Sequence, residues 1–442
     1  MSENQGSFEL KGTTLTTLLS RRLQAVVGDR VATKAALRPD RERLVSTLNW
    51  MASIGLCPDG SVCRRGFSPE DRQGRDQLSA WMSDAGMQVR IDAAGNLIGR
   101  LDGSDSSLPA LVTGSHLDTV PTGGRFDGVL GVLAGLEVAR TLKASGERLR
   151  HPFELVVFAD EESTMVGCKA MVGTASPDPD AYATSNGESI ERNLERIGGH
   201  WPLLASARRS EASIAAFLEL HVEQGGILEA RGDSIGVVEG IVGQRRFSIV
   251  VEGQANHAGT TPMEHRQDAL VTASEVVLAV EALALQHAKE PVATVGRLEV
   301  WPNAANVVPG SVKLTVDLRD LDPAVLQQLV ESLMVALESI GLKRGCSIRL
   351  DPQFDVAPTP SDSKVMKAIS SAASALGLSQ SRLPSRASHD AQEMGRRWPM
   401  GMIFVPSKGG LSHSAAEFTS DDECWAGTAV LLGALQRLDQ QL

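Results

Sequence analysis

The chain predicts an α/β fold: a main domain with a mixed sheet flanked by helices, interrupted by an inserted ferredoxin-like α+β domain. Three observations carry that prediction. At 442 residues the chain is too long for one ordinary core. Apolar runs of strand length alternate with helical stretches both before residue 240 and after residue 360. Between them the order changes to β-α-β-β-α-β, the split arrangement of a small ferredoxin-like unit. The predicted boundaries are 1–240 and 354–442 for the two parts of the main domain, and 241–353 for the insert.

Taken in order, residues 13–31 are mildly amphipathic with arginines, which a surface helix explains. Helices are expected at 43–54 and 75–85, and strands follow up to Leu101. The small and β-branched run 109–113 reads as a buried strand. A helix over 128–142 places Gly128, Gly131 and Gly135 on roughly one face, where backbone can pack closely on a sheet. Residues 153–158 form the next apolar strand, and the polar stretch 174–213 reads as a surface excursion with one short helix. A strand at 215–217 follows. The insert supplies strands at 245–252, 292–300, 307–318 and 347–350, and helices at 267–286 and 323–340. Strand 402–405 belongs to the returning main domain.

An apolar fraction of 42% and a charged fraction of 22% are those of a soluble globular chain. The net charge of −11 argues against nucleic acid and against an anionic membrane surface as partners. Five cysteines, an odd number with no CxxC pair, point to neither a disulfide framework nor a zinc–thiolate site. Residues 1–5 hold no apolar signal core, and no apolar run is expected to reach membrane-spanning length. The expected compartment is the cytoplasm.

Four apolar runs each release a histidine or a carboxylate into a following loop. They lead into Gly114-Ser115-His116-Leu117-Asp118, Ala159-Asp160-Glu161-Glu162, Leu218-Glu219-Leu220-His221 and Leu411-Ser412-His413. In an open sheet such loops converge along one edge. A single histidine there caps a strand or bonds a carbonyl as often as it does anything else. Four clusters together are costly unless they are paired or hold metal. Two divalent ions need a bridging carboxylate and two further protein ligands each. Asp127 is the expected bridge, with His116 and His221 for one ion and Glu162 and His413 for the other. Imidazole and carboxylate donors without thiolate suit Zn²⁺, with Mn²⁺ or Co²⁺ tolerated. Asp118, two residues beyond His116, is expected to orient that ring from behind. Glu161, adjacent to Glu162 and free of metal, is expected to take a proton from an attacking water and return it to the leaving nitrogen.

The motifs GSHLDTVPTGGRFDGVLG, ADEE, LELHVEQG, GQANHAGTTPM, NVVPG and LSHSAAEF resemble those of the hydantoinase/carbamoylase family of amidases, within the wider M20-like dinuclear metallohydrolases. N-carbamoyl-L-amino acid hydrolase, β-ureidopropionase and allantoate amidohydrolase belong to that family. The resemblance runs from about Arg43 to the C-terminus. It implies the ligand roles above, a zinc-hydrolase main domain with Glu161 as base, and a homodimer built through the insert, which serves as lid and dimerisation domain. It also implies that Arg319 clamps a substrate carboxylate with two parallel hydrogen bonds. Asn306 and Gln224 are implied as polar substrate contacts. Arg246 matches a substrate-contacting position of the allantoate amidohydrolases. His257 resembles the histidine that reaches an active site across the dimer to stabilise an oxyanion.

Two stretches depart from the family pattern. Arg386-Ala387-Ser388 stands where the loop before His389-Asp390 usually begins Gly-Ala-Gly, and Ser163-Thr164-Met165-Val166 stands where Gly-Ser-Arg-Phe is usual. Both leave the metal set intact and bear on the substrate. Only ten residues separate His116 from Asp127, whereas the related peptidases carry a much longer insertion there. His151, His200, His265 and His287 lack such context and are expected at the surface.

The expected activity is therefore metal-dependent hydrolysis of the carbamoyl C–N bond of a small ureido acid. An N-carbamoyl-L-amino acid comes first and allantoate is the alternative. The short spacing disfavours an M20 aminopeptidase, and the intact ligand set disfavours a metal-free binding protein of the same fold.

Overall fold

Four strands in the middle of the larger sheet consist almost wholly of apolar and small residues, so both their faces are buried. A computed structural model describes residues 37–442 except Glu290, and the helix expected at 13–31 lies outside the described residues. Pro39–Leu442 fold as one compact unit. In chain order the first strands are β1 (Gln88–Ile91), β2 (Leu97–Leu101), β3 (Ala110–His116), β4 (Phe153–Phe158), β5 (Ile214–Val222) and β6 (Ile235–Ile241). Then come β7 (Gly243–Glu252), β8 (Asn256–His257), β9 (Val292–Trp301), β10 (Val307–Val308), β11 (Ser311–Asp320) and β12 (Ser347–Val356). The last are β13 (Thr359–Pro360), β14 (Gln380–Ser385) and β15 (Met400–Val405).

The nine-stranded sheet runs β1-β2-β4-β3-β5-β15-β6-β13, with β14 also paired to β6. Its strands are mixed in direction, but β4, β3, β5 and β15 are consecutive and mutually parallel. Their C-terminal ends therefore share one edge. Thr113 and Ser115 face the helix Val129–Ser145, and glycines let that helix come close. A Cβ on Gly131 would stand 2.3 Å from the Leu220 carbonyl oxygen, and one on Gly135 would stand 2.6 Å from Leu155 Cδ1. The other face packs Val112, Phe158, Phe217 and Phe404 against Met171, Met394 and Trp398 in one apolar cluster.

The second sheet is antiparallel, in the order β12-β7-β11-β9. Helices Ala269–Leu285 and Pro323–Arg344 pack on it around a separate core that includes Ile249, Val276, Leu314, Leu329 and Leu333. The strand order is that of the expected ferredoxin-like unit.

Several boundaries differ from expectation for identifiable reasons. The helix expected at 75–85 starts at Pro69, because Ser68 caps the Asp71 N–H and proline favours the first turn. The strand expected at 215–217 continues to Val222, so His221 lies within it; the polar Glu219 and His221 had interrupted its apolar pattern. The strand expected at 307–318 breaks at Pro309-Gly310, which separates β10, paired with β8, from β11. The short strand at 347–350 extends to Val356. Contrary to expectation, the helix Pro323–Arg344 has the length and composition to cross a membrane. Its Val325, Leu326, Leu329, Leu333 and Leu337 are buried in the core of the second sheet. His151 is also not at the surface: it is 1% exposed, and its Nδ1 donates to the Pro109 carbonyl at 2.7 Å.

Candidate metal centre

His116 ends β3 and His221 lies one residue before the end of β5, so neighbouring parallel strands set the two rings 6.0 Å apart. Asp127 comes just before the helix Val129–Ser145. Between them Gly128 has a φ of 66°, and a Cβ there would stand 2.5 Å from the His116 ring. Glu161 and Glu162 follow β4, and His413 lies in the loop after β15.

Asp127 faces two ways. Its Oδ1 is 3.1 Å from His221 Nε2 and 3.7 Å from His116 Nε2, while its Oδ2 is 3.3 Å from His413 Nε2. His413 Nε2 is in turn 3.7 Å from Glu162 Oε1. The potential ligand atoms thus form one group from His116, Asp127 and His221 and another from Asp127, Glu162 and His413. A further group joins His116 to Glu161 and Glu162, with Glu161 Oε2 3.7 Å from the ring.

The ring tautomers suit this arrangement. Nδ1 of His116 donates to the Asp118 carbonyl oxygen and Nδ1 of His221 to that of Val222, each at 2.9 Å. Nε2 of each ring then faces the Asp127 side, the edge a metal-ligating histidine presents, and that of His221 also lies 3.2 Å from the Gly128 N–H. The ring orientation expected of the Asp118 carboxylate is supplied by its backbone instead. The carboxylate stands 3.9 Å from His116 Nδ1 and accepts from the backbone N–H groups of Glu161 and Glu162.

Burial raises Glu161 well above the usual carboxylate range, against the pull of His116 and with reinforcement from Glu162 and Asp390. Glu162 is pushed up to about 7, first by burial, with His116 opposing and Asp127 and Asp118 adding to it. Asp127 moves the other way: burial resists, but hydrogen bonds from His221 and His413 hold it well below its ordinary value. Four carboxylates crowded against imidazoles make a cluster whose excess negative charge divalent cations would relieve. The donor set and its tautomers fit two such ions.

Glu417 is a buried supporting group with little signal in the sequence beyond its place at the end of LSHSAAEF. It accepts from the backbone N–H groups of Phe126 and Asp127 at 2.8 and 3.1 Å, and from the Ser412 hydroxyl at 3.1 Å. Gly124 makes the room, since a Cβ there would lie 2.1 Å from Glu417 Cδ. His389 supports the site from another side, its ring meeting that of His221 edge-on at 4.5 Å and its Nε2 bonded to the Ser385 hydroxyl.

Residues 112–437 match Peptidase family M20/M25/M40. The chain belongs to that family. An N-carbamoyl-L-amino acid amidohydrolase of Geobacillus stearothermophilus is 37% identical over 404 residues, covering 90% of this chain and 98% of that protein. An allantoate amidohydrolase of Bacillus subtilis is 35% identical over 404 residues, again covering 90% and 98%. Among solved structures, an amidase of the hydantoinase/carbamoylase family from Burkholderia multivorans superposes with a TM-score of 0.85 at 38% identity, covering 91% of this chain and 98% of that one. This M20 chain is a hydrolase on the hydantoinase/carbamoylase branch that its motifs indicate.

In this M20 hydrolase the ligand groups and Glu161 line a cavity of about 320 Å³, within the range of small-molecule sites. Gln224 and Arg319 line it too. Gln224 Nε2 donates to Asp127 Oδ2 at 2.8 Å, and its buried Oε1 has no hydrogen-bond partner among the described residues. Arg319 donates through Nε to Asp317 and through Nη1 to the Arg386 carbonyl, both at 2.7 Å. Arg246 stays outside the cavity. It is exposed, opposite Asp317 across β7 and β11, and donates to Asp317 Oδ2 through Nε at 3.1 Å and Nη2 at 2.9 Å.

His257 and Asn306 are likewise exposed and outside the cavity of their own chain, beside the β8–β10 pair. His257 Nδ1 accepts from the Gly259 and Thr260 N–H groups at 3.0 and 3.2 Å. The ring hydrogen therefore sits on Nε2, free to donate.

Proposed function

We propose that this enzyme hydrolyses the carbamoyl C–N bond of an N-carbamoyl-L-amino acid. The observation that carries the reading is Asp127 offering its two oxygens to two ligand groups in the cavity that also holds Glu161 and Arg319. Two divalent ions held by His116, Asp127, His221, Glu162 and His413, Zn²⁺ by the donor set with Mn²⁺ or Co²⁺ as alternatives, would polarise the ureido carbonyl and acidify a water. Glu161 accepts the proton of the attacking water and delivers it to the nitrogen that leaves. Hydrolysis consumes one water and yields the free amino acid, ammonia and carbon dioxide. Arg319, pre-oriented by Asp317, pairs with the substrate carboxylate, and Gln224 offers its unpartnered Oε1 to the ureido N–H groups.

The same reading makes the enzyme a homodimer joined through 241–353, acting as a lid and dimerisation domain. Val271, Leu278 and Leu285 recur every seven residues on one helix and are 40%, 64% and 79% exposed; Val335 and Leu342 repeat the pattern on the other helix at 67% and 79%. A second copy covering them would bring its His257, an Nε2–H donor, and its Asn306 to this cavity, to hold the oxyanion and the carboxylate.

Allantoate is the second reading, favoured by Arg246, which shares Asp317 with Arg319. Ammonia release over a panel of N-carbamoyl-L-amino acids, β-ureidopropionate and allantoate tests both. The highest kcat/KM is expected on an N-carbamoyl-L-amino acid; a clear preference for allantoate overturns that assignment.

A further inference from the structure

The ureido group and the carboxylate of the proposed substrate account for the charged part of the cavity. The part of the wall formed by Ser163, Met165, Ala387 and Ser388 remains, and Met165 is its one large apolar side chain. The backbone of Met165 is held at three points. Its N–H donates to the Asp160 carbonyl at 2.7 Å, and its own carbonyl accepts from the Lys169 N–H at 3.1 Å and the Cys168 thiol at 3.4 Å. Its φ of 54° and ψ of 28° are left-handed, a conformation that the Cβ of an ordinary residue disfavours. Three of the six non-glycine residues with positive φ among the described residues, Met165, Gln224 and His413, line this cavity. Such outliers gather where a side chain must be aimed. Met165 is half-buried and rests on the apolar cluster beneath the sheet, so its side chain forms a backed wall.

We propose that Met165 is a specificity-determining residue that seats the substrate's side chain and selects N-carbamoyl-L-amino acids with apolar side chains over those with none or with a charged one. This rests on the carbamoyl-amino-acid reading given above. An unbranched thioether adapts to apolar groups of different shape and attracts them through dispersion. A carboxylate side chain in the same place meets Met165 and no cation in this part of the wall, with Glu161 and Glu162 nearby.

The experiment compares kcat/KM for N-carbamoyl-L-methionine, N-carbamoylglycine and N-carbamoyl-L-aspartate. The wild-type enzyme is expected to prefer the methionine derivative. Met165→Ala should lower the methionine-to-glycine ratio about 10-fold or more, since apolar contacts of a methylene or two set preferences of about 10–200-fold. Met165→Leu, which keeps the bulk, should hold the ratio within about 3-fold. Met165→Gly, suited to positive φ, makes the same deletion should the alanine variant fail to fold. Ammonia release with an unchanged ratio overturns the role of Met165 alone, as does a wild-type preference for the glycine or aspartate derivative. No ammonia from any N-carbamoyl amino acid overturns the reading on which it rests.

Discussion

Glu161→Gln replaces one oxygen with an amide group and keeps the volume of the side chain, so it removes a proton acceptor and little else. The side chain is 9% exposed, with its Oε2 3.7 Å from His116 Nε2, and its loop is held by backbone hydrogen bonds to Asp118 rather than by its own charge. A positioned general base contributes about 10²–10⁴-fold, which corresponds to about 2.7–5.5 kcal/mol on the barrier. kcat should fall by that factor with little change in KM. Metal content, measured by mass spectrometry on the dialysed protein, should stay at the wild-type ratio. Glu162→Gln is the contrast, because its Oε1 faces His413 Nε2 at 3.7 Å and belongs to the group shared with Asp127. It should lose metal as well as turnover. His116 stands near both glutamates, so the two variants decide between them. Near-normal turnover in Glu161→Gln, or metal loss from that variant alone, would refute the assignment.

If the proposed dimer forms, mixing inactive His257→Ala and inactive Glu161→Gln enzymes should restore activity to about a quarter of wild type after exchange, since half the dimers are mixed and each has one intact site. No recovery despite demonstrated exchange would place His257 outside the partner's site. Arg319→Ala should lower kcat/KM about 10²-fold on every ureido acid, because each has a carboxylate to lose its partner. Arg246→Leu, outside the cavity, should affect N-carbamoyl-L-methionine only a few-fold and allantoate more; equal large losses would show that it binds the shared carboxylate. Glu154 is held below its ordinary value: burial opposes, but Arg209 and Arg100 outweigh it. Its stabilising contribution is therefore present above the unfolded glutamate value of about 4.3 and lost as pH falls through the lower folded value. The Tm gap between wild type and Glu154→Gln should be wide near neutral pH and narrow as pH falls below the unfolded glutamate value; a gap independent of pH would rule the ion pairs out as its source.

Most of the proposed ligand residues are legible in the sequence because they lie within a few residues of an apolar run, and parallel strands bring their ends to one edge whatever the separation along the chain. His116, Glu162 and His221 could be placed that way. Groups that act from a distance are less legible. Glu417 secures Asp127 through backbone N–H groups and depends on the missing Cβ of Gly124, a pairing without any periodic pattern. The joint hold of Asp317 on Arg246 and Arg319 depends on the register of β7 against β11, which neither strand specifies alone. His151 looked like a surface histidine because burial of a lone polar group is decided by its partners, here the Pro109 carbonyl and Asp439. The left-handed backbone of Met165 is equally hidden, since methionine carries none of the expectation that glycine would.

The neighbouring strands β4, β3, β5 and β15 are made at very different times. β3, β4 and β5 are complete by Val222, whereas β15 begins at Met400, after all of the second sheet. A chain emerging from the ribosome therefore holds His116, Asp127, Glu162 and His221 well before His413. In the proposed centre one ligand group can close early, but the other waits for a strand made only after the whole second sheet, with the slow closure that such distant pairings impose. The bridge proposed for Asp127 would form only at that last step. If the proposed centre forms, a full metal complement would be a readout of finished folding, and a chain halted before β15 would carry at most half of it.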